Sequence, residues 1–293
     1  MTINGLWDEV RKVLPGEDVP IAKLVADCVR EKGRPLRIAV DTPFAVFQYK
    51  EATKKVEPYG WGMNHPTRTL FYHILHLLFA GAQPIFVYDG PGKPPVKRGR
   101  HVNYSGSRPP IDPQYAGARS SSSRTQAEVD AEYSPDHINM LSKQMLDLLG
   151  VPWRDAPGEA EAECAELEKA GVVDAVLTKD GDAFAFGSRI ILQRLDAKNQ
   201  IAMVRRYQMP ERLQPPLRQQ DLILMALMAG GDYDGTGIEN CGPEIAVQAG
   251  RAGYSGELLA LFRAGRPTEP WRAKLVAELR SNDKGRFSVT NKV

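Results

Sequence analysis

The 293-residue chain has little cysteine and no long apolar run, and each shortage removes a class of protein. Its three cysteines, Cys28, Cys164 and Cys241, are far apart and odd in number, with no metal-binding spacing. That excludes a disulfide framework or a zinc ribbon and points to a reducing compartment. No apolar stretch approaches the ~18 residues that a membrane span needs, and the N-terminus is too polar for a signal peptide. The expectation is a soluble intracellular protein with no membrane partner. There is no internal repeat. With 42% hydrophobic residues the length suffices for one large domain or two small ones.

What the chain does have is acids at the ends of apolar runs. Asp41 closes Arg37-Ile38-Ala39-Val40, and Asp89 closes Pro84-Ile85-Phe86-Val87-Tyr88. Glu159 and Glu161 open a helical stretch, Asp180 and Asp182 follow Val176-Leu177-Thr178, and Asp232 follows the apolar run from Leu222 to Ala229. In an open α/β sheet, sites gather at the carboxyl ends of the strands, so these seven groups should converge. Converging carboxylates repel and are costly to bury unless divalent cations neutralise them. Hard oxygen ligands in this number suit Mg²⁺ or Mn²⁺, and the work of a two-metal carboxylate site is phosphodiester hydrolysis. Any one of these aspartates could be a turn former or a helix cap. Acids at five separate strand or helix ends, twice as i, i+2 pairs, argue against a purely structural set. On a regular helix Glu159 and Glu161 would point about 200° apart. They can share one site if Glu159 lies at or before the helix start, a break that Pro157-Gly158 supplies.

Net charge is only +2, but it is unevenly spread. From Asp89 to Arg124 seven Lys/Arg face two Asp, and from Arg251 onward nine Lys/Arg face four acids. An acidic centre flanked by basic regions fits metal chemistry on a polyanion, although basic segments are often no more than solvated faces.

Helices are expected at Leu6–Leu14, Ile21–Glu31, Pro66–Ala80, Ser134–Leu149 and Glu159–Ala170, with strands at Arg37–Thr42, Pro84–Tyr88, Val173–Thr178, Ile190–Leu195 and Ile201–Tyr207. In the Pro66–Ala80 helix, Leu70, Ile74, Leu77 and Leu78 are placed on the inner face. His73 and His76, at i, i+3 without a third His or a Cys, read as helix-surface or DNA-facing residues. Residues 90–133 are rich in Pro, Gly and Ser and read as a mobile loop over the site. After Arg218 everything reads helical: Asp221–Ala229, Pro243–Ala249, Glu257–Phe262 and Trp271–Leu279. The turn from Gly230 to Pro243 carries five glycines, which lets backbone groups face a phosphate or a cation, as would also be true of a plain flexible connector.

Several segments together resemble the flap endonuclease/XPG superfamily. They are Met1-Thr2-Ile3-Asn4-Gly5-Leu6-Trp7, Ile38-Ala39-Val40-Asp41, Phe86-Val87-Tyr88-Asp89-Gly90, Ala156-Pro157-Gly158-Glu159-Ala160-Glu161-Ala162, Thr178-Lys179-Asp180-Gly181-Asp182 and Gly231-Asp232-Tyr233. Their order matches too, over nearly the whole chain. The resemblance implies an α/β fold of the PIN/FEN-like kind: a mostly parallel central sheet flanked by helices, then a helical helix–two-turn–helix region. It divides the chain into a nuclease core at 1–217 (XPG-N at 1–100, arch loop at 90–133, XPG-I at about 134–217) and a DNA-binding region at 218–293. It implies two Mg²⁺ ions, replaceable by Mn²⁺, on Asp41, Asp89, Glu159, Glu161, Asp180, Asp182 and Asp232. Lys97 fits the arch lysine. The arginine expected seven residues later is replaced by Tyr104, with Arg98 or Arg100 as substitutes, and Thr2 stands where the family has glycine.

Within the superfamily the chain looks most like the GEN-type Holliday-junction resolvases, in a fungal-like catalytic core. The marks are Asn4, Trp7, Gly158 before Glu159, and the Gly237-Ile238-Glu239-Asn240-Cys241-Gly242-Pro243 turn. The resemblance implies a nuclear enzyme cutting four-way junctions by paired nicks, with 5′ flaps and splayed arms as further substrates and a second copy joining on the junction. Lys93, Arg98, Arg100, Gly237, Gly242, Arg272 and Lys274 are the expected DNA contacts, and K⁺ is expected in the 235–242 turn. The alternatives are a 5′-flap endonuclease and, from a different class, a non-catalytic branched-DNA-binding module. Loss of metal acids would mark that module, and none is lost.

Overall fold

A computed structural model describes residues 3–43, 45–46, 66–94, 96–97, 100–101, 134–195, 202–210 and 217–288. After α1 (Leu6–Val13) come β1 (Glu17–Pro20), α2 (Ile21–Lys32) and β2 (Arg37–Asp41). Then follow α3 (Pro66–Phe79), β3 (Gln83–Tyr88), the short pair β4 (Val96–Lys97) and β5 (Arg100–His101), α4 (Pro135–Leu149) and β6 (Trp153–Asp155). The α/β part closes with α5 (Ala160–Lys169), β7 (Ala175–Leu177), α6 (Asp182–Ala185), β8 (Ile190–Arg194) and β9 (Met203–Gln208). Four helices end the chain: α7 (Gln219–Ala229), α8 (Pro243–Arg251), α9 (Tyr254–Arg263) and α10 (Glu269–Ser281).

Among the described residues, seven strands form one sheet in the order β1-β9-β8-β7-β2-β3-β6. The centre is parallel, and β9 pairs antiparallel with both β8 and β1 at one edge. Strand side chains alternate between the two faces, and the sequence uses both. Ile38, Val40, Phe86 and Leu177 join Leu24, Leu70, Ile74 and Leu146 on one side. Ala39, Val87 and Val176 join Leu6, Cys164, Leu222 and Leu275 on the other. The sheet is therefore sandwiched between helices. The second cluster runs without a break from the sheet into the C-terminal helices, so residue 217 marks a change of element type inside a shared core.

Two sequence expectations fail on α3. His73 is buried between helix and sheet, not on the surface, and burial, then Arg194 and His76, push its imidazole down to about 3, so it is neutral. Leu78, placed on the inner face by sequence, is exposed. The inner stripe is Leu70, His73, Ile74 and Leu77, which is the true 3.6-residue spacing. Strands β1 and β6 and helix α6 were not foreseen. Most of the expected 90–133 loop lies outside the described residues. What is described of it is the turn to Pro94 and the antiparallel pairing of Val96 with His101 and Lys97 with Arg100.

Candidate active site

Register delivers the first acids. Asp41 pairs with Val87 and Val40 with Leu177, so β2, β3 and β7 end at a common edge. Asp41 is the last residue of β2, Asp89 follows β3 directly, and Thr178 follows β7 directly. Glu159 is the N-cap of α5, with extended backbone (φ −82°, ψ 141°), while Glu161 lies in the first turn. Asp232 follows α7. Six of the seven are buried, and Asp89 is partly so.

Two buried groups report the surrounding acids, and one hydroxyl ties Asp41 to the loop that carries Asp180. Cys164, buried beneath α5, has its thiol pushed well up by burial, then by Asp41, Glu161, Glu163 and Asp89. These four acids are therefore electrostatic neighbours of the thiol. Asp182 is pushed up to about 7 by burial first, then by Asp180 and Asp232, against a lowering contact from the Ile3 amide. Thr178 links the end of β2 to the loop after β7: its Oγ1 donates to Asp41 Oδ2 at 2.7 Å and accepts from the Asp180 amide at 3.0 Å. The Asp182 amide donates to Asp180 Oδ1 at 3.1 Å.

Neighbouring elements fix these acids. The Ile3 amide donates to Asp182 Oδ1 at 2.8 Å, and Trp7 Nε1 donates to the Lys179 carbonyl at 2.9 Å. The Tyr233 hydroxyl donates to Glu159 Oε2. Asp89 Oδ1 accepts from the Ala160 amide at 3.0 Å, at the N-terminus of α5 where a carboxylate is favoured. Its Oδ2 is held by the Lys93 ammonium. Sequence reasoning missed all of these positioning contacts. Thr178 alone carried a signal, as a hydroxyl able to close a local turn ahead of Asp180.

The donor set is oxygen only, buried and mutually repelling, which is the chemistry that hard divalent cations satisfy. Burial first, and then Asp180 and Asp232, raise the Asp182 carboxyl, and a buried all-oxygen donor set of this kind fits Mg²⁺ or Mn²⁺. Among the described residues, no three His, Cys, Asp or Glu side chains already close on one point at ligand distance. The acids therefore stand as separated neighbours rather than a preformed cage.

The remaining expected residues are dispersed. Lys97 and Arg100 lie on the β4–β5 pair; their side chains, and Arg98 altogether, lie outside the described residues. Gly237, at φ +60°, packs inward: a Cβ there would sit 2.5 Å from the Met228 carbonyl oxygen. Its glycine serves the fold of the turn. Gly242 is open to solvent and caps α8 ahead of Pro243. Arg272 is exposed on α10, whereas Lys274 bonds Glu257 at 2.7 Å and lies over the Tyr254 ring.

The XPG I-region family model matches residues 150–232. Sheep (Ovis aries) flap endonuclease 1 is 30% identical over 248 residues, covering 78% of this chain and 64% of the relative. Rice (Oryza sativa subsp. japonica) flap endonuclease GEN-like 1 is 31% identical over 247 residues, covering 80% of this chain and 37% of the relative. The chain thus spans less than two thirds of these relatives' length. Among solved structures, the Holliday junction-resolving enzyme GEN1 in complex with product DNA and Mg²⁺ superposes with TM-score 0.70 at 32% identity, over 99% of this chain and 59% of that one. The junction-resolving enzyme GEN-1 binding potassium gives the same TM-score and identity, over 99% of this chain and 60% of that one. Motif order, sheet topology and these matches agree: residues 150–232 carry an XPG I-region, and the chain is similar over most of its length to flap endonuclease/XPG nucleases, GEN-type enzymes among them.

Proposed function

We propose that this protein is a structure-selective, metal-dependent DNA endonuclease that resolves Holliday junctions by paired symmetric nicks and also cuts 5′ flaps and splayed arms. The observation that carries this is the set of buried carboxylates at the carboxyl edge of β2, β3 and β7, where Thr178 ties Asp41 to the Asp180 amide. Asp41, Asp89, Glu159, Glu161, Asp180, Asp182 and Asp232 together would hold two Mg²⁺, with Mn²⁺ as a substitute. When bound, the two ions supply an ionised water and a cationic seat for the leaving oxygen.

The chain's own groups orient those acids. Thr178 fixes Asp41, Tyr233 fixes Glu159, and the Ile3 amide fixes Asp182. Lys97, with Arg98 or Arg100, contacts the scissile phosphate and stabilises developing charge there. Residues 1–217 act as the nuclease core. Residues 218–293 grip duplex arms through phosphates, which carry no base identity, so selection is by shape. Gly242 and its turn bring K⁺ to a duplex phosphate, a reading supported by the potassium-binding GEN-1 neighbour. The site of action is the nucleus. Two copies assemble on one junction, since a two-fold substrate needs two nicks and a single metal pair makes one.

The runner-up, a 5′-flap endonuclease, is favoured by the 30% identity to flap endonuclease 1. Side-by-side cleavage of a Holliday junction, a 5′ flap and a splayed arm with Mg²⁺ separates the two. Cutting of the flap without the junction refutes the resolvase reading, and cutting of none refutes the nuclease.

A further inference from the structure

By sequence Lys93 groups with the DNA-contacting cations, but in the structure its ammonium bonds Asp89. The turn that aims it there is tightly pinned. The Lys93 amide donates to the Gly90 carbonyl at 3.1 Å, the Gly90 amide to Gly158 at 2.7 Å and the Gly92 amide to Pro157 at 2.9 Å. A Cβ on Gly90 would lie 1.5 Å from the Ala156 carbonyl oxygen, so no other residue fits that close approach. The 90–93 turn is thereby stitched to the segment entering α5, and Lys93 reaches back onto the acid four residues earlier. Both side chains are shielded, at 16% and 15% exposure, so solvent and salt screen the pair less than they would a surface bridge. Together Lys93 and the Ala160 amide engage both Asp89 oxygens.

We propose that Lys93 is a built-in counter-ion for the metal-free site. It holds Asp89 in place, offsets repulsion among the acids, and yields Asp89 Oδ2 when a divalent cation loads. This deepens, and rests on, the two-metal reading above. Lys93 is a positioning residue in that role, competing with metal for one carboxylate oxygen.

The test is Mn²⁺ binding to the full chain, read from the free-ion paramagnetic resonance signal, together with thermal unfolding in EDTA and at saturating Mn²⁺. Lys93→Met, which keeps the stem and removes the charge, should bind the first Mn²⁺ about tenfold tighter, equivalent to ~1.4 kcal/mol. Its melting temperature should fall in EDTA and recover with Mn²⁺, while Lys93→Arg behaves as the wild type. Unchanged or weaker Mn²⁺ binding by a folded Lys93→Met overturns the proposal. If that variant does not fold, Lys93→Gln carries the same comparison. A wild-type chain that takes up no Mn²⁺ refutes the two-metal reading itself, an outcome distinct from failure of the Lys93 comparison.

Discussion

In the metal-free protein, Asp182→Asn should stabilise the fold above neutral pH. The Asp182 carboxyl is pushed up to about 7, first by burial and then by Asp180 and Asp232. In the unfolded chain it titrates near 4. Between those values the folded state holds the extra proton, so stability is fully present below about pH 4 and lost as pH rises through about 7. A displacement of roughly three units at 1.36 kcal/mol each gives an upper figure of about 4 kcal/mol. Because neighbouring acids share the proton, about 2–4 kcal/mol is the working range. Asparagine removes the charge and keeps Oδ1 as the acceptor for the Ile3 amide, so packing is preserved. At ~2–4 °C per kcal/mol, unfolding followed by circular dichroism in EDTA should show the variant about 5–10 °C more stable at pH 8. The difference should close at about pH 4, and saturating Mg²⁺ should reverse the order, because ligand binding stabilises the wild type more. Equal melting temperatures at pH 8 in EDTA, or a gap of the same size in acid, would refute the reasoning.

On the proposed function, Asp41→Asn or Asp232→Asn should abolish cleavage while junction binding, measured by gel shift in Ca²⁺, stays near wild type, because that reading places the duplex-arm contacts at residues 218–293; cutting at a near wild-type rate would misplace the metal site. In filter-binding titrations, Arg272→Ala should lower the salt slope by about one. Lys274→Ala should change it less, since Lys274 is already bonded to Glu257. Asp174, at the opposite sheet edge, is opposed by burial, but the Arg34 guanidinium, Lys32 and the Arg37 amide still hold its carboxyl well below the usual range. Its contribution is therefore present above about pH 4 and lost as pH falls. Asp174→Asn should cost about 1–3 kcal/mol at pH 7 in urea unfolding and flatten the acid limb.

The elements that were legible in sequence are those whose pattern is local. Strands β2, β3 and β7 are apolar runs stopped by an acid or a hydroxyl, and α4 announces itself through Ser134-Pro135, with Ser134 Oγ accepting from the His137 amide. Strand β1 has no such pattern, since only Val19 is buried; it exists because β9 offers an edge and Arg205 and Arg206 meet Asp18 and Glu17 across it. Pairing of residues nearly two hundred positions apart leaves no mark in a short window. The error at His73 is different in kind, because the information was present. Leu70, Ile74 and Leu77 define a stripe that also contains position 73, and adding Leu78 tilted that stripe away from its true axis. A polar residue type outweighed a periodicity that pointed inward.

The same contrast explains the candidate site. Charge-bearing residues sit at element ends and can be read there, whereas the neutral groups that orient them belong to distant segments. The N-terminal stretch does the most of this. Ile3 bonds Asp182, Asn4 donates through its side chain to the last carbonyl of α7 and through its amide to the Gly230 carbonyl beyond it, and Trp7 bonds the loop between Thr178 and Asp180. Two glycines permit that docking. A Cβ on Gly181 would lie 2.3 Å from Leu6, and one on Gly5 would lie 2.3 Å from Pro243. Residues 3–7 therefore tie the β7 loop, the end of α7 and the start of α8 into one unit. Hydrogen bonds to a charged group are worth roughly 1.5–3 kcal/mol, and they fix direction as well as energy. The opening motif thus has a physical reason to accompany Asp180, Asp182 and Asp232: without it, these acids would keep their charge and lose their aim.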